Sequence, residues 1–258
     1  MNAMNRRKTL KGADILAALS IMALSATAWS GEITVLSAAA VQVPVTEIAQ
    51  QFERSTGDTV HFEFSTAGGV DARIKASAHP DIVINAQGRL EALAADKRVA
   101  AAAPRKLGVV QIGVAVRKGG VPPDLSSADG FRQSLLKAES VAYGDPAKGA
   151  TTGIHFAKVL ERLGVADAMK AKARLAPNGL AVMKLVASGE AELGITQISE
   201  ILHIQGDTLV GPLPPELQLS TTYSVTFGSD GASPGARQFV ELLLSPAGRE
   251  RFNHAGFQ

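Results

Sequence analysis

The chain has 258 residues, 46% of them hydrophobic and 19% charged, enough apolar material for one large core or two smaller ones and too much for a disordered polymer. It contains no cysteine, which excludes disulfides, thiol catalysis and thiolate metal sites. Removing the first 28 residues takes four basic and one acidic side chain from totals of 26 and 24, leaving 22 Lys and Arg against 23 Asp and Glu. The remainder is near neutrality, with one Trp and two Tyr, and offers no electrostatic footprint for nucleic acid or an anionic membrane.

In chain order, Arg6, Arg7, Lys8 and Lys11 precede an apolar stretch over residues 15–24 and then Ala26-Thr27-Ala28. That order of charge, apolar run and small residues reads as a secretory signal over residues 1–28, cleaved after Ala28. The apolar run is shorter than the roughly 20 residues of a spanning helix, and Asp14 interrupts its start. Residues 5–11 also resemble a twin-arginine signal, although Thr9 stands where a large apolar residue is usual, so the export route stays open between the general secretory and twin-arginine systems. The expected location is the periplasm.

Residues 33–36 form an apolar run ended by Ser and Ala, and Pro44 opens an amphipathic segment with Ile48, Ala49 and Phe52 on one face, predicting strand, loop and helix. Residues 60–64 alternate as a strand, Gly68-Gly69 turns into a helix through Ile74, and residues 81–85 give a buried strand. This β-α-β-α-β order is the mark of a parallel sheet. Residues 107–117 make a long strand, and Gly119-Gly120-Val121-Pro122-Pro123 breaks the pattern as a linker, where the chain is expected to cross into a second unit. That unit takes helices at 131–137, 154–163 and 180–187 and strands at 140–143 and 191–196. After a second break at 211–215, residues 223–227 offer a return strand, with closing helices at 236–244 and 248–252. Two crossings imply a first lobe built from residues 29–113 and 222–258 and a second from 114–221. The predicted fold class is α/β, with two lobes each holding a mostly parallel sheet flanked by helices.

In such sheets the ligand crevice lies beyond the carboxyl ends of the strands, where unpaired N–H groups at helix starts bind anions without any Lys. Small-residue loops stand at several of those places: 37–40 with Ala39 and Ala40, 65–69 with Thr66, Ala67 and Gly68, 144–153 with Ala150, Thr151 and Thr152, 177–179 with Asn178 and Gly179, and 197–199 with Gln197 and Ser199. Each alone is also an ordinary strand-to-helix turn with a polar cap. Gly144 and Gly149 have the spacing of a phosphate loop, but Ala150 occupies the place of its essential Lys, which argues against nucleotide hydrolysis and leaves a glycine-loosened backbone suited to an anion.

Three side chains carry chemistry near these loops. Arg73 lies one to two turns into the helix after the 65–69 loop, where it either grips a carboxylate or sits solvated at the surface. His155 falls in the first turn after Gly149, as a proton donor or acceptor or as a structural residue. Glu200 is either a catalyst or a complement to a helix dipole. No His, Asp and Glu spacing resembles a metal site.

On the stretches 33–52, 65–74, 80–84 and above all 186–195, VASGEAELGI, the chain resembles the molybdate-type periplasmic solute-binding proteins of ABC transporters, across essentially the whole mature length. The resemblance implies two α/β lobes joined by two crossing strands, an oxyanion held by backbone N–H groups and hydroxyls, a monomer, no cofactor, and a membrane permease as partner. The ligand residues carry over incompletely: the family's two loop serines fall on Ala40 and Ala67, its Tyr falls on Gln197, and Arg73 stands where Gln is usual. These departures remove oxyanion donors and add a cation, so the expected ligand is an organic di- or tricarboxylate. A branch with similar loops resembles periplasmic aconitate isomerase, a cofactor-independent reaction needing one positioned base, for which His155 and then Glu200 are the candidates. Carboxylate binder, isomerase and molybdate binder remain three distinct expectations.

Overall fold

The computed structural model describes residues 31–204 and 207–258, so the signal assigned to residues 1–28 lies outside the described residues. Among those described, no helix is long and apolar enough to cross a membrane.

The first strand, β1 (Glu32–Ala38), is buried from Val35 onward and runs parallel to β2 (Thr59–Ser65) on one side and β3 (Ile82–Ala86) on the other. A single 3-10 turn, Ala39–Val41, leads into α1 (Gln42–Thr56), with α2 (Ala67–Lys75) and α3 (Gln87–Ala95) following the other two strands. Helix α1 starts two residues ahead of Pro44, which sits in the first turn where its missing N–H costs nothing. Gly57 ends it with φ of 80°, a left-handed cap suited to glycine.

Strand β4 (Arg105–Arg117) changes partners midway. Arg105 to Gln111 pair with β9 (Ser220–Phe227), whereas Ile112 to Val116 pair with β7 (Leu193–Gln197), and Gly113 to Arg117 with β8 (Asp207–Pro212). The passage from one half of the molecule to the other therefore lies within a continuous strand rather than in the Gly119–Pro123 linker. The returning chain is clasped to the same point: the Gln218 amide accepts from the Ile112 N–H and donates to the Ile112 carbonyl, both at 3.0 Å. The side chain thus adds to the backbone bonds that Ile112 makes there with Leu219 and Leu213.

The second half adds α4 (Ala128–Lys137), β5 (Val141–Gly144), α5 (Thr151–Arg162), the short α6 (Ala166–Met169), β6 (Ala173–Ala176), α7 (Gly179–Ala187) and the short α8 (Ile198–Ile201). Strand β5 lies parallel to both β6 and β7. Helices α9 (Pro234–Leu244) and α10 (Pro246–His254) then pack back on α1. The sheet order is β2-β1-β3-β9-β4-β7-β5-β6, with β8 beside β4. The fold is the two-lobed α/β architecture, and each lobe has its own apolar cores. One contains Phe52, Phe239 and Phe252; another contains Phe131, Phe156 and Leu193.

Candidate functional site

The carboxyl ends of β1, β2, β5, β6 and β7 converge on one small cavity between the lobes, partly open to solvent. Its walls are Ala38, Ala39 and Ala40 after β1; Ser65, Thr66 and Ala67 after β2; Ala150, Thr151 and Thr152 at the start of α5; Asn178 and Gly179 at the start of α7; Gln197 and Glu200 around α8; and Tyr223 on β9. No Lys, Arg or His stands among these residues.

Capping explains how such a wall attracts an anion. Helices α4, α9 and α10 are capped by Ser127, Ser233 and Ser245, each accepting from a backbone N–H of the first turn. At the cavity the 3-10 turn before α1 begins after Ala38, and α5 begins after Ala150, both without a side-chain cap. Alanine in a cap position leaves first-turn N–H groups unpaired by any side chain, together with the positive end of the helix dipole. Two other starts at the cavity are capped, by Thr66 toward Gly69 N–H and by Asn178 toward Ala181 N–H.

The lobes touch around this space. Thr66 Oγ1 donates to the Lys148 carbonyl at 2.5 Å, Gly68 N–H to the Gly149 carbonyl at 3.1 Å, and Ser199 Oγ to the Ala40 carbonyl at 2.8 Å. A β-carbon on Gly68 would lie 2.8 Å from the Gly149 α-carbon, so only glycine lets the two backbones meet here.

Glu200 is the one acid in the wall. It is 5% exposed, and its carboxylate accepts from Thr196 Oγ1 at 2.5 Å and from the N–H groups of Gln197 and Gly179. Burial pushes its pKa above the usual carboxylate value, and these three donors pull the other way without cancelling it. A β-carbon on Gly179 would run into both the Glu200 carboxylate and Thr196 Oγ1, which accounts for glycine at that helix start. Tyr223, fully buried, is held in its neutral form by burial and then by the negative charge of Glu200. Two buried oxygens in the wall, Thr151 Oγ1 and Gln197 Oε1, have no hydrogen-bond partner.

The profile of the bacterial extracellular solute-binding protein family matches residues 33–258. The chain belongs to that family. Among its relatives, the aconitate isomerase of a Pseudomonas species is 31% identical over 254 residues, covering 96% of this chain and 94% of the relative. The molybdate-binding protein ModA of Escherichia coli K12 is 30% identical over 245 residues, covering 93% and 95%. The periplasmic molybdate-binding protein of Azotobacter vinelandii superposes with a TM-score of 0.72 at 20% identity, over 88% of this chain and 98% of that one, a likeness of fold. This solute-binding protein thus has its anion cavity where the strand ends of the two lobes meet.

The structure gathers Ala39, Ala40, Thr66, Ala67, Ala150, Thr151, Thr152, Asn178, Gly179, Gln197 and Glu200 around the cavity, and leaves four expected residues out of its wall. Arg73 is about half exposed and ion-paired with Glu63 on the neighbouring β2, so the supposed carboxylate-gripping cation is committed elsewhere. His155 is one turn, roughly 5 Å, further along α5 than Thr151, and its Nε2 meets the Leu217 carbonyl at 2.7 Å. Gly68 and Ser199 serve the contacts between lobes. Ala38, Ser65 and Tyr223 line the cavity without having been singled out as ligand contacts. The signal for Tyr223 was available: in the alternating run 220–227, a Tyr two residues from Thr221 puts two hydroxyls on one face of a buried strand.

Proposed function

We propose that this protein captures a small organic di- or tricarboxylate between its lobes in the periplasm and presents it to an ABC-type permease. In this reading residues 1–28 are the removed export signal, and the mature chain is a monomer of two lobes, residues 29–113 with 222–258 and residues 114–221.

The observation that carries the ligand class is Glu200. An anion cavity with no cationic side chain and a buried acid whose pKa is raised suits a ligand able to share a proton with that acid. A ligand carboxylate is an acid of the same kind as Glu200, so the pair can hold one proton between them. A fully dissociated inorganic oxyanion brings no proton and meets a repelling charge once Glu200 ionises. Ala40, Ala67 and Gln197 supply no hydroxyl, which also disfavours a compact oxyanion. Calorimetric titration of the mature protein with citrate, trans-aconitate, molybdate and sulfate tests this: at least one carboxylate binds far more tightly than either inorganic ion. Molybdate binding tightest would reject it.

A second reading, isomerisation of aconitate, is supported by the same Glu200, an acid with a raised pKa facing a ligand cavity, and by the similarity to the Pseudomonas protein. The migrating proton would leave one allylic carbon to Glu200 and return to the other, with uncapped N–H groups steadying the charge. Incubation with trans-aconitate in deuterated water, followed by NMR, separates the readings. Deuterium uptake and the cis isomer mark an enzyme, and their absence with retained binding marks a carrier.

A further inference from the structure

Strand β7 has two faces. Ile195 points into the core that holds Phe131, Phe156 and Leu193. Gly194 and Thr196 point the other way, against α7: a β-carbon on Gly194 would meet Val182, Met183 and Val186, and one on Gly179 would meet Thr196 Oγ1. The layer between is apolar, with Ala115, Ala142, Val182, Met183 and Ile201 packed together, and Thr196 is fully buried beside it. A valine would fill the same space, and a buried hydroxyl costs free energy unless it is paired. This one donates to Glu200 Oε2 at 2.5 Å, the acid in the cavity wall. Gly179 completes the unit. Its N–H also bonds the Glu200 carboxyl, and a β-carbon there would displace both side chains.

Resting on the carboxylate reading above, we propose that Thr196 is the positioning residue for Glu200: its hydroxyl anchors the carboxyl by Oε2 beside the start of α7, and so sets the pH at which the acid gives up the proton it shares with the ligand. Thr196 stands behind the wall and acts through the acid that is in it. The direction follows from the chemistry. A hydroxyl donating to a carboxylate favours the ionised form, against burial, which favours the neutral one; without Thr196, burial would hold the proton to higher pH. Among the described residues, the titratable side chain coupled to this acid is Tyr223 on β9, itself held neutral by burial. On the elements packed against α8, Lys184 of α7 and the charged ends of β4, Arg105, Lys106 and Arg117, are exposed. Asp207 of β8 lies opposite Arg117 in the ladder, at the far end from Gly113, and His203, just past α8, is coupled to Glu47 instead.

The test compares the mature protein with Thr196→Val, which keeps the shape and loses the donor, with Thr196→Ala as a second variant lacking it, and with Thr196→Ser, which keeps it. Calorimetry with citrate and with trans-aconitate from pH 5 to pH 8 gives the midpoint at which affinity falls; the ligand's own titration is common to all variants and cancels in the comparison. Loss of a donor to a charged acceptor is expected to move that midpoint up by about one pH unit in Thr196→Val and Thr196→Ala, and Thr196→Ser to restore the original profile. The ligand-free proteins give a second readout. The drop in melting temperature caused by Thr196→Val is expected to grow as pH rises past the raised Glu200 pKa, and to be independent of pH when Glu200→Gln is already present. A midpoint that stays in place, with a loss of stability equal at every pH, would overturn the proposal and leave Thr196 a packing residue. Failure of both ligands to bind, with the drop in melting temperature still growing with pH, would instead reject the carboxylate reading while upholding the grip of Thr196 on Glu200.

Discussion

Replacing Glu200 by Gln separates the electrostatic part of this account from its shape. Burial raises the Glu200 pKa above its ordinary value of 4.5, so below that value the acid is neutral in folded and unfolded chains alike and no stability is lost. As pH rises from 4.5 toward the raised folded value the unfolded chain gives up its proton first, so stability falls across that window and levels off above it. The same ionisation places a second negative charge beside a bound anion. At a separation of about 5 Å and an effective dielectric near 20 the repulsion is about 3 kcal/mol, or roughly a hundredfold in affinity. Calorimetry from pH 5 to pH 8 with a carboxylate of constant charge over that range should show binding weakening as pH rises, with proton uptake on binding once Glu200 is ionised. Glu200→Gln should flatten that profile and remove the loss of thermal stability that accrues between pH 4.5 and the raised pKa. Affinity independent of pH in the unmodified protein, or rising with it, would refute the reasoning.

Three further outcomes follow from the geometry. Gly68→Ala adds a β-carbon 2.8 Å from the Gly149 α-carbon, pushing the lobes apart and sacrificing the Gly68–Gly149 and Thr66–Lys148 bonds; at about 1 kcal/mol each, stability should fall by about 2 kcal/mol in denaturant unfolding, with ligand affinity falling as well. Arg73→Ala removes an exposed ion pair with Glu63 and should leave affinity unchanged and stability within about 1 kcal/mol, as measured by titration and denaturant unfolding. Phe156→Ala empties a fully buried site against Tyr143, whose ring is 5.1 Å away, and should cost about 3–5 kcal/mol in denaturant unfolding.

Strand and helix order was legible because the apolar runs at 33–36, 60–64 and 107–117 alternate with helical periodicity, and the cavity loops were legible because strand ends in an α/β fold are where small residues gather. Elements with little apolar signal escaped. Strand β6, Ala-Arg-Leu-Ala, lies at the sheet edge with Arg174 and Leu175 exposed, and β8 ends in the Gly211-Pro212 pair that reads as a break. Helix α3 buries only Leu90 and Leu93. Arg73 and His155 stand outside the cavity wall for a different reason: Glu63 and the Leu217 carbonyl, their partners here, come near only through tertiary packing. Glu200 had the reverse history. A first-turn acid reads as a dipole complement, and its place in the cavity depends on Gly179, which leaves room for the carboxylate.

The central claim is that the uncapped helix starts around this interlobe cavity hold the anion. Backbone amide shifts in a 1H–15N spectrum, followed during titration with citrate, test it most directly. The account predicts the largest changes at the amides of Ala40, Val41, Thr152 and Gly153 and at the Gln197 side-chain amide. Changes centred instead on the outer groove beside Gln111, Gly211 and Gln218, with the helix starts unmoved, would contradict it.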